Sequence, residues 1–473
     1  MLRMTKKRFL LFFLFLLISN ISIIFGNALL QSEINLYPNA GDTSQIQSYA
    51  VAINSTNNIH VVYNKQIQIH NSLEYIVTGA DFIWNLTSSI VIEENSTLNI
   101  IGRPTLVAAS DQLQLILAYS TAADSGLLMM EKPYSNKSWS SNVVQLNETF
   151  EYQDPVLVRN TTNEDLWLCW RDNSEDSYKM FFSVYNNTSG MWSNTTKLTG
   201  PTGGNSTDCK FVLDDSGNAH FVWSEGPLNQ ERILYRKIFW NGTMDPIEVL
   251  TDGSNRCRYP EIIIDPYNDI NIFWSNYTVI NPGVELGTQN IQTIRKSFTG
   301  TWSDPLFTAP YIPPERPPGG ASDARIPSVA LDLDNNLWVA YEIRELYSYH
   351  QGIDIQKRVG YSDWQPSERV SLANNPTIDP LIKCDNAGNL HCFWLDLRHS
   401  NYELYFRIRF SSGVWTNEFR LSLDLPTFGD YWRLILIVSG VIAVISLPMI
   451  ILDRIRARKR NKLLKRKITD LQE

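Results

Sequence analysis

A strand-like run, an Asp/Asn/Gly turn and a second strand closing on Trp or Tyr recur seven times along this chain. The closing aromatics are Tyr63, Tyr119, Trp170, Trp223, Trp274, Tyr341 and Trp394, spaced by 56, 51, 53, 51, 67 and 53 residues. A period near 50 residues, all-β in every unit, predicts a β-propeller with one blade per repeat. The last repeat shows how a blade is written. Pro380 to Cys384 reads as strand A and Asp385-Asn386-Ala387-Gly388 as a turn. Asn389 to Trp394 reads as strand B, Glu403 to Phe410 as strand C, and Trp415 to Leu423 as strand D. Asp bonds the local backbone in such a turn and Gly supplies positive φ. A strand D aromatic recurs as Trp84, Trp139, Trp192, Trp302, Trp364 and Trp415, with Met244 in its place in blade 4. Residues 33–37 read as an additional strand D that helps close the ring, since an open ring leaves unpaired strand edges.

The ends differ from this body. Arg3, Lys6, Lys7 and Arg8 precede an apolar run from Phe9 to Phe25 and then Gly26-Asn27-Ala28. That order is a secretory signal over residues 1–28, with an uncleaved anchor as the alternative. A second apolar run, Leu434 to Leu452, spans about 28 Å as a helix, enough for the hydrocarbon core of a bilayer. Tyr431 and Trp432 flank it on one side and nine Lys/Arg residues within 453–473 on the other, which places that tail inside. The predicted organisation is a signal peptide (1–28), a seven-bladed β-propeller ectodomain (29–424), a linker (425–433), one transmembrane helix (434–452) and a basic cytoplasmic tail (453–473). The chain has 41 basic and 49 acidic groups, of which 4 basic lie in residues 1–28 and 9 basic and 3 acidic in 453–473. The 28 basic and 46 acidic groups between give the ectodomain a net −18. Such an acidic body argues against nucleic acid as a partner, and the basic tail suits anionic lipid headgroups or serves only as a stop-transfer signal.

Twelve N-x-S/T sequons between Asn54 and Asn276 are candidate glycosylation acceptors: Asn54, Asn85, Asn95, Asn136, Asn147, Asn160, Asn186, Asn187, Asn194, Asn205, Asn241 and Asn276. None occurs from Tyr277 to the membrane segment, so the sector of blades 5 to 7 is a candidate contact surface. Five cysteines in so long a chain make no disulfide framework. Cys209 and Cys257 enter the inner strands of consecutive blades and form the candidate pair, with buried thiols as the default for the others.

The stretch Asp379-Pro-Leu-Ile-Lys-Cys-Asp-Asn-Ala-Gly-Asn-Leu-His-Cys-Phe-Trp394, followed by Leu395-Asp396-Leu397-Arg398, carries a family resemblance. A Pro-led strand, an Asp/Gly turn and a Trp-ended strand resemble the sialidase-like (BNR-type) propeller superfamily, in its non-catalytic surface-protein branch. The resemblance covers roughly residues 45–424 and implies architecture more than activity. Arg325-Ile326-Pro327 matches the family's Arg-Ile-Pro motif, whose arginine binds a substrate carboxylate through its guanidinium fork. Arg258-Tyr259-Pro260 holds the same place in blade 5, so this arginine also reads as a habit of the repeat. The family's Ser-x-Asp-x-Gly-x-x-Trp box is absent, and shorter turns such as Gly190-Met191-Trp192 stand in its place.

Candidate ligand-binding residues gather where strand A begins and strand B ends. They are Arg103, Asp154, Asp208, Arg258, Arg325 and Asp379 from strands A, and Glu342, Arg344, Asp396 and Arg398 from strands B, with Arg171, Asp172 and Glu225 beside them. They either line the mouth of a central channel or form salt bridges between blades. Two long connections of blade 5 lie at the same face, Val279 to Asn290 and the proline-rich 309–320. His60, His220 and His391 each stand three residues before a closing aromatic, in blades 1, 4 and 7, where a shared packing position is the better reading than a metal site. No phosphate loop, zinc motif or nucleophile elbow occurs, so no cofactor or metal is expected. The expected function is a membrane-anchored, cell-surface recognition module for an extracellular protein or glycan, without catalysis. A sialidase-like or other glycoside-active enzyme and a structural envelope component are the alternatives.

Overall fold

The computed structural model describes residues 44–422 except 68–69, 79–89, 96–98, 121–124, 136–137, 145–151, 173–176, 201–203, 282–285, 310–321, 346–350, 361–362, 374 and 399–400. The signal-type segment, residues 33–37, the apolar run 434–452 and the basic tail therefore lie outside the described residues, as does the proline-rich connection from residue 310 on.

Seven antiparallel sheets follow one another along the chain, and each is one blade. The innermost strands A are Ser44–Ile53, Asn99–Ala108, Gln153–Arg159, Asn205–Leu213, Arg256–Ile264, Ser322–Leu331 and Thr377–Cys384. Each pairs with a strand B carrying the closing aromatic: Ile59–Ile67, Gln112–Ser120, Leu166–Asp172, Ala219–Gly226, Ile270–Asn281, Leu337–Glu345 and Leu390–Asp396. The chain is thus an all-β, seven-bladed propeller.

The core is divided among seven clusters, one at each junction between neighbouring blades. Both faces of a central blade are covered, so its strands read as apolar runs rather than alternating ones. Trp170, Trp223, Trp274 and Trp394 are each 0 % exposed, and such rings bury about 150–250 Å² apiece. Blade 7 closes on blade 1 through Phe393, Phe406 and Leu404 against Val61 and Tyr63. Three hydrogen bonds seal the same junction: Ile46 N to Tyr402 O at 2.9 Å, Asn386 N to Asn57 Oδ1 at 3.0 Å, and Asn386 Nδ2 to Ser55 O at 3.0 Å.

Two repeated devices explain the periodic polar residues. The outer-strand aromatics Trp192, Trp364, Trp302 and Trp415 pair with strand C residues Tyr185, Arg358, Lys296 and Arg409, and Met244 pairs with Ile238 in the same manner. Trp302 and Trp415 each donate an indole N–H to a glutamate of the preceding blade, Glu248 at 2.6 Å and Glu368 at 2.9 Å. At the A–B turns of blades 1 and 4 to 7, an aspartate or asparagine accepts backbone N–H groups two and four residues on, as Asp385 does from Ala387 and Asn389. Its second oxygen takes the strand B side chain six residues on: His220 for Asp214, Asn271 for Asp265, Trp338 for Asp332 and His391 for Asp385. The fifth turn residue then caps the C–D turn, Asn218 to Trp240 N and Asn389 to Ser411 N, both at 3.1 Å. His220 and His391 belong to this network. His60 and His220 bond Tyr75 and Tyr235 of their own blades at 2.8 and 2.7 Å.

Three expectations need correction. The segment Val279 to Asn290 is mostly strand: strands B and C of blade 5 are prolonged to Ile270–Asn281 and Leu286–Lys296 and pair up to Asn281↔Leu286. Cys209 and Cys257 do not pair. They occupy different junctions, blades 3–4 and 4–5, and Cys257 Sγ instead bonds Asn276 Oδ1 at 3.4 Å. Two sequons are closed by burial. Asn276 is 2 % exposed, and Asn54 is 6 % exposed with its amide oxygen holding Thr56 N and Asn58 N. A glycan on either is incompatible with this packing. Asn186, Asn187, Asn194, Asn205 and Asn241 are exposed and Asn160 is half-buried. Asn85, Asn136, Asn147 and the Asn95 side chain lie outside the described residues.

Candidate functional site

The inner strands do not run straight. In blades 3 to 7 each carries a β-bulge in which two residues face the single closing aromatic of strand B. The bulge residues are Asp154-Pro155, Asp208-Cys209, Tyr259-Pro260, Ile326-Pro327 and Asp379-Pro380, and the first of each pair has φ between 48° and 58°. This accounts for the proline of the repeat. Proline has no N–H to give to a ladder and is tolerated at a bulge, where the extra residue is unpaired. Asp visits the left-handed region more readily than Tyr or Ile, so Ile326 is the most strained of the five.

The bulges crowd charges around the inner strands. Arg103 of blade 2 pairs with Asp379 of blade 7, Arg258 of blade 5 with Asp208 of blade 4 at 3.0 Å, and Lys210 with Glu261 at 2.6 Å. Arg171 Nε meets Asp154 Oδ2 at 2.8 Å within blade 3. Burial works to lower the Arg103 pKa, and Asp379, Tyr49, Asp154 and Glu261 outweigh it and raise it. Lys383 on the inner strand of blade 7 is exposed to water.

The candidate residues separate into two groups. Asp396 and Arg398 are structural. Asp396 is 0 % exposed and accepts from Trp394 Nε1 at 3.3 Å and from Arg398 at 2.6 Å, and Arg398 also meets Glu418 at 2.7 Å. Glu342 is likewise fully buried. It takes Arg325 Nε at 2.6 Å and the backbone N–H of Asp379 at 3.1 Å, and burial raises its pKa against the pull of Arg325. The arginine of the Arg-Ile-Pro stretch is therefore already matched to a carboxylate of its own blade. Arg103, Asp154, Asp208, Arg258, Arg325, Arg344 and Asp379 keep partial exposure. Arg344 has no hydrogen bond or ion pair among the described residues, and burial together with the adjacent Arg325 lowers its pKa.

Blades 1 and 2 depart from the bulge pattern of blades 3 to 7. Blade 1 makes the same one-residue shift at Gln47, between Ile46 and Ser48, and not opposite Tyr63, which pairs with Tyr49; blade 2 sets three residues, Gly102-Arg103-Pro104, against the single Leu117. Between these two irregular bulges lies a pocket of about 350 Å³, lined by Gln47, Ser48, Asn64, Gln66, Asn99, Arg103 and Asp154, with Ile100 its apolar side chain. The residue after the closing aromatic differs among the blades. In blades 5 and 6 this residue, Ser275 or Glu342, accepts the N–H of the next blade's bulge, Ile326 at 2.8 Å or Asp379 at 3.1 Å. In blade 1 it is Asn64, 2 % exposed, whose Oδ1 has no partner, and in blade 4 it is Ser224, 0 % exposed, whose Oγ has none either. Ser48 donates to Gly102 O at 3.2 Å, and Gln47 bonds Gln66 at 2.8 Å across the rim. Sequence reading found Arg103 and Asp154 but missed Gln47, Ser48, Asn64, Gln66, Asn99, Lys210, Glu261 and Lys383. The legible signal was Gly102-Arg103-Pro104, where the proline follows the arginine directly, whereas Arg258-Tyr259-Pro260 and Arg325-Ile326-Pro327 carry one residue between them.

No protein-family model matches the sequence, and no curated protein resembles it in sequence. Solved structures align with parts of it. Kuenenia stuttgartiensis hydrazine synthase aligns with TM-score 0.49 and 10 % identity over 81 % of this chain and 98 % of its own. A protein of unknown function from Dyadobacter fermentans gives 0.45 and 11 % over 67 % and 95 %, and the polysaccharide lyase Uly1 gives 0.40 and 9 % over 64 % and 88 %.

Proposed function

We propose that this protein is a membrane-anchored, extracellular recognition module of the sialidase-like propeller type that binds a glycan, without hydrolysing it, in the pocket between blades 1 and 2. The observation that carries this reading is the concave site of amides, a hydroxyl, one guanidinium and one carboxylate that opens at the bulges of blades 1 and 2. About 350 Å³ falls at the small end of ligand pockets, the size of a sugar residue or two. Mixed donors and acceptors without a large apolar wall suit a polyhydroxylated ligand better than a protein hot spot, which wants buried aromatic anchors. Asp154 is the one carboxylate lining this pocket, whereas glycoside hydrolysis ordinarily uses a pair flanking the bond.

Access is consistent with glycosylation. Asn160, Asn186, Asn187 and Asn241 belong to A–B and C–D turns, at the end opposite the mouth, so glycans there leave the pocket open. The test is a glycan array, acidic and neutral sugars included, probed with the full-length protein in detergent. Binding that is lost in Gln47→Ala/Asn99→Ala and in Asn64→Leu, but kept in Arg344→Ala, supports the reading. A blank array, or binding that follows Arg344 and not Asn64, refutes it. Release of free sugar from a bound glycan would move the protein to the enzyme class.

A further inference from the structure

The bulge proline of blades 3 and 5 to 7 is missing from blade 4, where Cys209 takes its place. Cys209 is 5 % exposed and its Sγ lies 3.1 Å from the Sγ of Cys169, on strand B of blade 3 and 0 % exposed. That separation is about 1 Å longer than a disulfide bond. Among the described residues no other cysteine has a thiol so placed: Cys257 bonds Asn276, Cys384 bonds the carbonyl of Asp385 at 3.5 Å, and Cys392 lies in the blade 6–7 junction. The two residues come from separate strands 40 residues apart, so a bond between them would fasten one blade to the next beside the narrowest part of the ring.

We infer that Cys169 and Cys209 form a disulfide that ties blade 3 to blade 4 and replaces the bulge proline as the local constraint. The reaction is thiol–disulfide exchange with a disulfide-carrying oxidant, either an oxidoreductase or oxidised glutathione. A Cys thiolate attacks the oxidant's S–S bond, which releases one thiol and leaves a mixed disulfide. The second Cys thiolate then displaces the other oxidant sulfur. Overall the two thiols lose two protons and two electrons to the oxidant, which leaves as two thiols. An oxidising extracellular compartment, as the N-terminal segment predicts, is where such bonds persist. In the folded protein burial, and then the contact with Cys209, raise the Cys169 pKa well above the usual thiol value. The thiolate is the attacking species, so the bond has to form before the junction closes.

The experiment counts thiols in the denatured full-length chain, so no variant has to fold. Protein from a secretory host is unfolded in urea with N-ethylmaleimide and weighed, before and after reduction. The expected result is three alkylated cysteines before reduction and five after, with a protease fragment joining Cys169 to Cys209. Cys169→Ala should give four alkylated cysteines without reduction. In parallel, reduced chain refolded in a glutathione redox buffer should form the same bond. Five alkylated cysteines in both preparations, or a bond that uses Cys257, Cys384 or Cys392, overturns the inference.

Discussion

His60 should make the propeller sensitive to mild acid. Its ring is 3 % exposed, lies 2.8 Å from the Tyr75 hydroxyl through Nδ1, and stacks on Tyr134 with centroids 5.6 Å apart. Burial, and secondarily the Lys132 ammonium, lower its pKa from 6.5 to about 4. The unfolded chain therefore takes up the proton first. Stability from this residue is fully present above pH 6.5 and is lost as pH falls toward 4. At about 1.36 kcal/mol per pH unit, the gap corresponds to about 3.4 kcal/mol, of which about 2.4 kcal/mol is lost between pH 7 and pH 4.5. The repeat supplies the control substitution, because the same strand position in blade 5 holds Asn271. Urea unfolding at both pH values, followed by tryptophan fluorescence and far-UV circular dichroism, measures the difference, and coincident curves justify a single free energy. Wild type should lose about 2.4 kcal/mol more than His60→Asn between the two pH values, and Lys132→Met should narrow that loss. Equal acid losses in wild type and His60→Asn, within about 0.5 kcal/mol, would show that His60 is not held neutral and would refute the reasoning.

Other substitutions test the remaining devices. Asp385→Ala removes the acceptor of Ala387 N, Asn389 N, Asn389 Nδ2 and His391 Nε2, and should cost about 3 kcal/mol in chemical denaturation, whereas exposed Asp334→Ala should cost less than about 0.5 kcal/mol. Ile326→Asn relieves a β-branched residue at φ 52° and should stabilise by about 1 kcal/mol, seen as a raised melting temperature; a lowered one would show that the Ile326 side chain matters more than its backbone. Arg398→Met leaves buried Asp396 and Glu418 without their cation and should cost about 3 kcal/mol while sparing glycan binding, and a loss of binding without loss of stability would return Arg398 to the site.

The architecture was legible because it rests on local rules repeated seven times. Closing aromatics, Asp-led turns and the outer-strand tryptophan each depend on residues a few positions apart, and even Met244 kept its predicted register. The site was half legible. Arg103 and Asp154 stood out as charges at the start of strand A, but so did Asp396 and Arg398, which are buried with Glu418. Spacing along a strand does not say whether a charge meets water or a partner from the next blade. The disulfide expectation failed for the same reason: Cys209 and Cys257 each face the blade before their own, Cys209 in the 3–4 junction and Cys257 in the 4–5 junction. Asn64 was invisible because its role is defined by a hydrogen bond that it does not make.

In a repeat protein each blade is the control for its neighbours, and a departure from the shared solution needs its own cause. Five bulges use two residues, and in blades 5 and 6 a polar side chain closes the gap behind the next one. Blade 1 makes the same one-residue shift between Ile46 and Ser48, away from Tyr63, and blade 2 sets three residues against one. The regular bulge was available to the same chain five times over. Ligand binding is a cause that accounts for both departures together. It makes a direct demand: shortening Gly102-Arg103-Pro104 by deleting Arg103 should restore the two-residue bulge, keep or raise stability, and abolish ligand binding. Binding that survives that deletion would mean the irregularity is only a tolerated insertion.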